Sequence, residues 1–179
     1  MAWCPLPEIP YRSLDISRII SALKPDVIIE IGIRYGGSAL YFASLLDLVG
    51  HRRVISSDIE TRQDWPQHPR VTYICGSSVS PEVVQQLATR LDSTAGRMVV
   101  LDSDHRKAHV DEELKIYSRF VTPGQYLIVE DTAINGHPAS AGFRPGPFAS
   151  VATYCFPFRS IRLRAEEGAV PNPAVTGAT

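Results

Sequence analysis

A chain of 179 residues fits one domain and is long enough to bury a sizeable core. Its hydrophobic fraction of 44% and charged fraction of 21% are ordinary for a globular protein, and a net charge of −1 removes any general electrostatic reason to bind nucleic acid or an anionic membrane. The three cysteines (Cys4, Cys75, Cys155) are odd in number and far apart, with no CxxC spacing, which argues against a disulfide framework or zinc site and for a reducing compartment.

The N-terminus, Met1 to Pro7, lacks the basic start and apolar run of a signal peptide, and no apolar stretch is long enough to cross a bilayer. A cytoplasmic protein is expected. From Ser13 to Leu23 the residues Leu14, Ile16, Ile19, Ile20 and Leu23 recur at helical spacing, and Pro25 ends the run. Val27-Ile28-Ile29 reads as a strand buried on both faces, stopping at Glu30-Ile31-Gly32. A glycine-bearing turn leads to an apolar helix, Ser38 to Val49, closed by Gly50.

The pattern then repeats. Arg53 to Asp58 and Val71 to Cys75 read as strands two and three. Ser80-Pro81-Glu82 opens a helix carrying Val83, Val84, Leu87 and Leu91. Met98 to Leu101 is a fourth strand, ending at Asp102. Val110, Leu114, Tyr117 and Val121 mark a helix face, and Pro123-Gly124 turns the chain into a fifth strand, Tyr126 to Val129. Alternating strands and helices imply an α/β fold, Rossmann-like, with a mostly parallel doubly wound sheet and helices on both faces. Beyond Thr132 the pattern weakens. Residues 134–148 are expected to loop over the site, Phe158 to Arg164 to form one more strand, and 168–179 to form a disordered tail after a single domain over 1–167.

Ligands of such sheets bind at the carboxyl ends of the strands. Four of the five ends here carry acids: Glu30, Asp58, Asp102 with Asp104, and Glu130 with Asp131. The first turn, Glu30 through Gly32, Gly36 and Gly37 to Ser38, lets backbone approach a ligand, yet its G-x-x-x-G-G spacing is not the dinucleotide fingerprint. An acid before the first glycine is the arrangement with which methyltransferases hold the amino-acid part of S-adenosylmethionine. A plain strand-to-helix turn is the alternative. Asp58 is placed for ribose hydroxyls, with Glu60 competing for that role, and Arg34 and Tyr35 are further turn candidates. If strands four and five are neighbours, Asp102 or Asp104 sits beside Glu130 and Asp131. Clustered carboxylates take up protons or hold a cation, and an oxygen-only set suits Mg²⁺. An acidic rim without metal is the alternative.

Together the stretches Glu30–Leu40, His68–Ser78, Val100–His105 and Val121–Thr132 resemble the cephalosporin hydroxylase/rhamnosyl O-methyltransferase family, in order, over about residues 13–147. That resemblance implies the class I methyltransferase fold, S-adenosylmethionine, in some members magnesium, and Ser77 and Ser78 near the adenine. The placing of the acids is also similar to the catechol and caffeoyl-CoA O-methyltransferases. There an acid after the fourth strand and a polar pair after the fifth hold the metal, and a lysine three residues after the metal aspartate is the general base. His105 stands three after Asp102, and histidine can do that work near neutral pH. His109, His137 and Lys107 are weaker candidates for the base.

The expected cofactor set is therefore Glu30, Gly32, Arg34, Gly36, Ser38, Asp58, Ser77, Ser78 and Asp102, with metal ligands among Asp102, Asp104, Glu130 and Asp131. The expected reaction is methyl transfer to a hydroxyl of a sugar or small metabolite, with the metal lowering the hydroxyl pKa and His105 or water taking the proton. Three rivals stand: a nicotinamide-dependent oxidoreductase, a hydroxylase whose iron would draw on His105 and His109, and a non-catalytic binding protein. After residue 147 the chain departs from the family. Its final strands are expected to be rearranged, supplied through a homo-oligomer or absent, and Trp3 and Trp65 are read as packing or lid residues.

Overall fold

Val27–Ile31 forms β1, and all five of its positions are buried. Alternation along the strand sends Val27, Ile29 and Ile31 into one apolar cluster and Ile28 into another, so both faces of the strand are covered. Each such aliphatic side chain contributes roughly 1.5–3 kcal/mol by leaving water. The computed structural model describes residues 10–50, 52–131 and 162–164.

In chain order the elements are α1 (Pro10–Leu23), β1, α2 (Gly37–Val49), β2 (Arg53–Asp58), β3 (Val71–Cys75), α3 (Pro81–Ala88), β4 (Arg97–Leu101), α4 (Lys107–Tyr117), a 3₁₀ turn (Ser118–Phe120), β5 (Tyr126–Val129) and β6 (Arg162–Arg164). The strands form one six-stranded sheet in the order β3-β2-β1-β4-β5-β6. β1 to β5 pair in parallel, and β6 pairs antiparallel with β5. Residues of α3 and α4 (Val83, Leu87, Val110, Leu114, Tyr117) pack on one face of the sheet, and those of α1 and α2 (Ile19, Ile20, Phe42, Leu46) on the other. This is the doubly wound α/β architecture expected from the alternation of elements.

Local chemistry explains most boundaries. Ser80 caps α3, its hydroxyl accepting from Val83 N with Pro81 at the first helical position. That helix stops at Ala88, short of the expected Leu91, and Leu91 packs on the core from the turn that follows. Val121 likewise reaches the core from beyond the 3₁₀ turn, outside α4. Among the described residues no helix is long and apolar enough to cross a membrane. Trp3, Cys4, His137, Cys155, the expected loop over 134–148 and the expected tail over 168–179 lie outside the described residues, as do 158–161 of the last expected strand.

Candidate functional site

Backbone pairing runs one residue past the strands. Gly32 N donates to Ser57 O (2.8 Å), Gly76 N to Asp58 O (2.8 Å), Asp102 N to Ile31 O (2.7 Å) and Glu130 N to Leu101 O (2.9 Å). The polar loops therefore begin level with one another. Together they line a cavity of about 830 Å³ at the carboxyl ends of the strands, where the strand order reverses between β1 and β4.

The glycine turn forms one wall. Gly32 has φ +85°, and a Cβ there would lie 2.2 Å from the Asp102 carbonyl oxygen, so only glycine lets the β1 and β4 ends approach this closely. Gly36 (φ +74°) is packed by Pro66 and Trp65. Trp65 is buried, stacks on Tyr73 at 4.8 Å and donates its indole N–H to Arg34 O (3.0 Å). It is thus the turn's brace, a role that reading Trp65 as a packing or lid residue did not resolve. Tyr35 is exposed beneath the guanidiniums of Arg34 and Arg62, and both arginines line the cavity.

Asp58, at the end of β2, accepts from Ile33 N (2.9 Å) and Arg34 N (2.8 Å) on one oxygen and from Glu60 N (3.1 Å) on the other. Its partial burial raises its pKa, but these backbone N–H groups prevail and hold the carboxyl below the usual carboxylate range. Glu30 behaves in the opposite way. It is 2% exposed, takes a hydrogen bond from the hydroxyl of its cross-strand partner Ser56 (2.7 Å), and burial pushes its carboxyl up to about 7. Of the expected cofactor residues, Gly32, Arg34, Ser38, Asp58, Ser77, Ser78 and Asp102 line the cavity, whereas Glu30 and Gly36 lie behind its wall. Ser57, not anticipated, adds a buried hydroxyl at the cavity with no partner among the described residues.

At the other end, Asp102, His105 and Asp131 each offer a ligand atom, and these atoms all lie within 4.8 Å of one another. His105 Nε2 is 3.6 Å from Asp131 Oδ2. Two carboxylates and one imidazole nitrogen form a donor set that fits a divalent cation. Asp104 and Glu130, expected beside them, fall outside this group. Asp104 instead receives Arg106, whose Nε reaches both its oxygens (3.0 and 2.9 Å) and whose backbone N–H also donates to it. The paired guanidinium holds Asp104 below the usual carboxylate range. His109 lines the cavity but turns to Ser78 Oγ (3.0 Å) and Glu113 Oε1 (3.2 Å) and does not join the group. Lys107 pairs with Asp111 along its own helix.

Glu113, also unanticipated, is 1% exposed on the apolar face of α4. The signal was present in the sequence: position 113 lies three residues after Val110 and four before Tyr117, on the stripe that faces the core.

A family model described as rhamnosyl O-methyltransferase/CmcI matches residues 4–167. Rhamnosyl O-methyltransferase of Mycobacterium tuberculosis H37Rv is 38% identical over 145 residues, covering 78% of this chain and 59% of that protein. The Mycobacterium leprae protein of the same name is 35% identical over 144 residues, covering 78% and 63%. The chain thus spans about six tenths of the length of these curated relatives. Among solved structures, the MycE methyltransferase of mycinamycin biosynthesis with Mg and SAH superposes with a TM-score of 0.61 at 19% identity, covering 83% of this chain and 41% of that one. CmcI in an Mg-SAM form gives 0.58 at 17% identity, covering 81% and 62%. An O-methyltransferase from Bacillus cereus with SAH gives 0.59 at 16% identity, covering 83% and 72%. At these identities the superpositions establish the fold, that of S-adenosylmethionine-dependent O-methyltransferases.

Proposed function

The chain belongs to the rhamnosyl O-methyltransferase/CmcI family, and from that premise we propose that it is an S-adenosylmethionine-dependent O-methyltransferase, assisted by a divalent cation such as Mg²⁺, acting on a hydroxyl of a sugar or small metabolite. The observation that carries this reading is one cavity with two chemically distinct ends. The glycine turn, Asp58, Ser77 and Ser78 line one end, and the Asp102, His105 and Asp131 group lines the other.

Residues at the first end fit a nucleoside-bearing cofactor. Ser57 and Ser77 offer hydroxyls to it, and Asp58 keeps its charge as a hydrogen-bond acceptor. Glu30, behind the turn, supports the amino-acid end through Ser38, whose hydroxyl bonds its carboxyl. When bound, S-adenosylmethionine supplies an already activated methyl group, so orientation of the acceptor is the main task left to the protein. At the second end Asp102 and Asp131 would hold the cation, which when bound would supply a positive charge that lowers the pKa of the acceptor hydroxyl. Glu130 precedes Asp131 in the chain, and Asp104 serves the loop through Arg106. His105 takes the acceptor's proton at an imidazole nitrogen, a role open to it only while that nitrogen is not itself a ligand. The proposal includes a small-molecule acceptor, no nucleic-acid or membrane partner, a cytoplasmic setting and a homo-oligomer.

Calorimetric titration with S-adenosylhomocysteine and with NAD, each with and without Mg²⁺, tests the reading. Binding of the homocysteine compound and not of NAD is expected. Binding of NAD alone, or of neither, overturns it in favour of the oxidoreductase or the non-catalytic protein.

A further inference from the structure

One oxygen of a fully buried carboxylate ties the two ends of the cavity together. Glu113 Oε1 accepts from Ser78 Oγ at 2.6 Å and from Ser103 Oγ at 2.5 Å, and it faces His109 Nε2 at 3.2 Å. Ser78 belongs to the loop after β3, at the nucleoside end. Ser103 directly follows Asp102 in the loop after β4, at the cation end. One turn further along α4, Tyr117 donates its hydroxyl to Ser78 O (2.6 Å), so the helix grips Ser78 by side chain and carbonyl alike. A carboxylate this deeply buried is costly without hydrogen-bond partners, and here serines from two separate loops and His109 one turn back on α4 meet its Oε1. Glu113 itself does not line the cavity.

We propose that Glu113 is a positioning residue that couples the two ends, so that a cation held by Asp102 and Asp131 tightens binding of the nucleoside cofactor, and the cofactor tightens binding of the cation. The inference rests on the proposed function, since it needs both ligands. A ligand that orders one loop fixes its serine on Glu113 Oε1. The second serine then meets an oxygen already in place, and the ordering cost of its loop falls. Coupling of this kind is reciprocal by necessity.

The test is calorimetry of S-adenosylhomocysteine with and without Mg²⁺, and of Mg²⁺ with and without S-adenosylhomocysteine, on wild type and Ser103→Ala. That substitution cuts the link at its more accessible end and leaves Glu113 bonded to Ser78 and His109, so the fold is spared. In wild type each ligand is expected to tighten the other by about fivefold or more. In Ser103→Ala the factor is expected to fall close to one, with binding of S-adenosylhomocysteine alone unchanged. As a second readout, Mg²⁺ alone is expected to slow amide exchange over residues 76–80 in wild type and not in the variant. No mutual effect in wild type, or the same effect in both proteins, overturns the coupling while leaving the methyltransferase reading intact. Failure of S-adenosylhomocysteine to bind wild type under any condition overturns that reading and the coupling with it.

Discussion

His105 Nε2 lies 3.6 Å from Asp131 Oδ2, which brings the loop after β4 against the end of β5. Asp131 holds φ +52°, a left-handed conformation that asparagine tolerates as well as aspartate does. Asp131→Asn therefore removes charge without straining the backbone. It should weaken Mg²⁺ binding by about tenfold or more, since even residues that only orient metal ligands have effects of that size. His105→Gln separates base from ligand. A base role predicts nearly unchanged Mg²⁺ affinity by calorimetry together with a large loss of turnover, whereas loss of both makes His105 a ligand.

Glu30 predicts an unusual pH dependence of stability. Burial raises its pKa from the ordinary 4.5 to about 7, and the Asp58 charge adds to the rise, while the Ser38 and Ser56 hydroxyls oppose it. Between those values the folded chain keeps a proton that the unfolded chain has released, so this group's contribution to stability falls as pH rises through the window. Urea denaturation at about pH 5 and about pH 8 should show the decline in wild type, by up to a few kcal/mol, and a smaller one in Glu30→Gln. If Glu30 also senses the ammonium of the cofactor, S-adenosylhomocysteine binding near neutral pH releases part of a proton. Calorimetry in two buffers of different ionisation enthalpy reads that release directly.

Residues whose roles follow from strand position were legible in the sequence. The apolar run Val27-Ile28-Ile29 announces a strand covered on both faces, and acids at four of the five strand ends announce one shared rim. The sequence brings Asp102 or Asp104 beside Glu130 and Asp131 only on the condition that the fourth and fifth strands are neighbours, and β4 does pair with β5. What stayed hidden depends on side-chain direction. Asp104 has the same residue type as Asp102 and lies two residues on, yet it pairs with Arg106 and stands outside the Asp102, His105 and Asp131 group. Trp65 bonds a carbonyl 31 residues away, a contact that no local spacing signals. α3 ends at Ala88, before Leu91, although Leu91 keeps helical spacing while reaching the core from beyond the helix.

Asp58 has two tasks, pinning the glycine turn through Ile33 N and Arg34 N and facing the cavity, so its removal is expected to cost stability as well as affinity. Leaving those donors without their charged acceptor costs about 1–3 kcal/mol. Asp58→Ala should therefore lower the urea midpoint and weaken S-adenosylhomocysteine binding together. Glu60→Ala, which removes the exposed competitor for the ribose role, should leave stability within about 0.5 kcal/mol of wild type. A loss of affinity in Glu60→Ala as large as that in Asp58→Ala would transfer the ribose role to Glu60.

Gly32→Ala tests whether the glycine turn and the cation loop are mechanically one unit. The added Cβ would meet Asp102 O at 2.2 Å and Ser103 Cα at 2.6 Å, both backbone atoms that no side-chain rotation can move aside. Holding alanine at φ +85° adds roughly 1–3 kcal/mol of backbone strain. Relief requires the loop after β4 to move away from β1, carrying Asp102 with it. A variant altered only at the cofactor end is thus expected to lose Mg²⁺ affinity, measured without any cofactor present, as well as S-adenosylhomocysteine affinity. If Gly32→Ala stays folded by circular dichroism and binds Mg²⁺ like wild type, the close approach of Gly32 to Asp102 does not position the cation group.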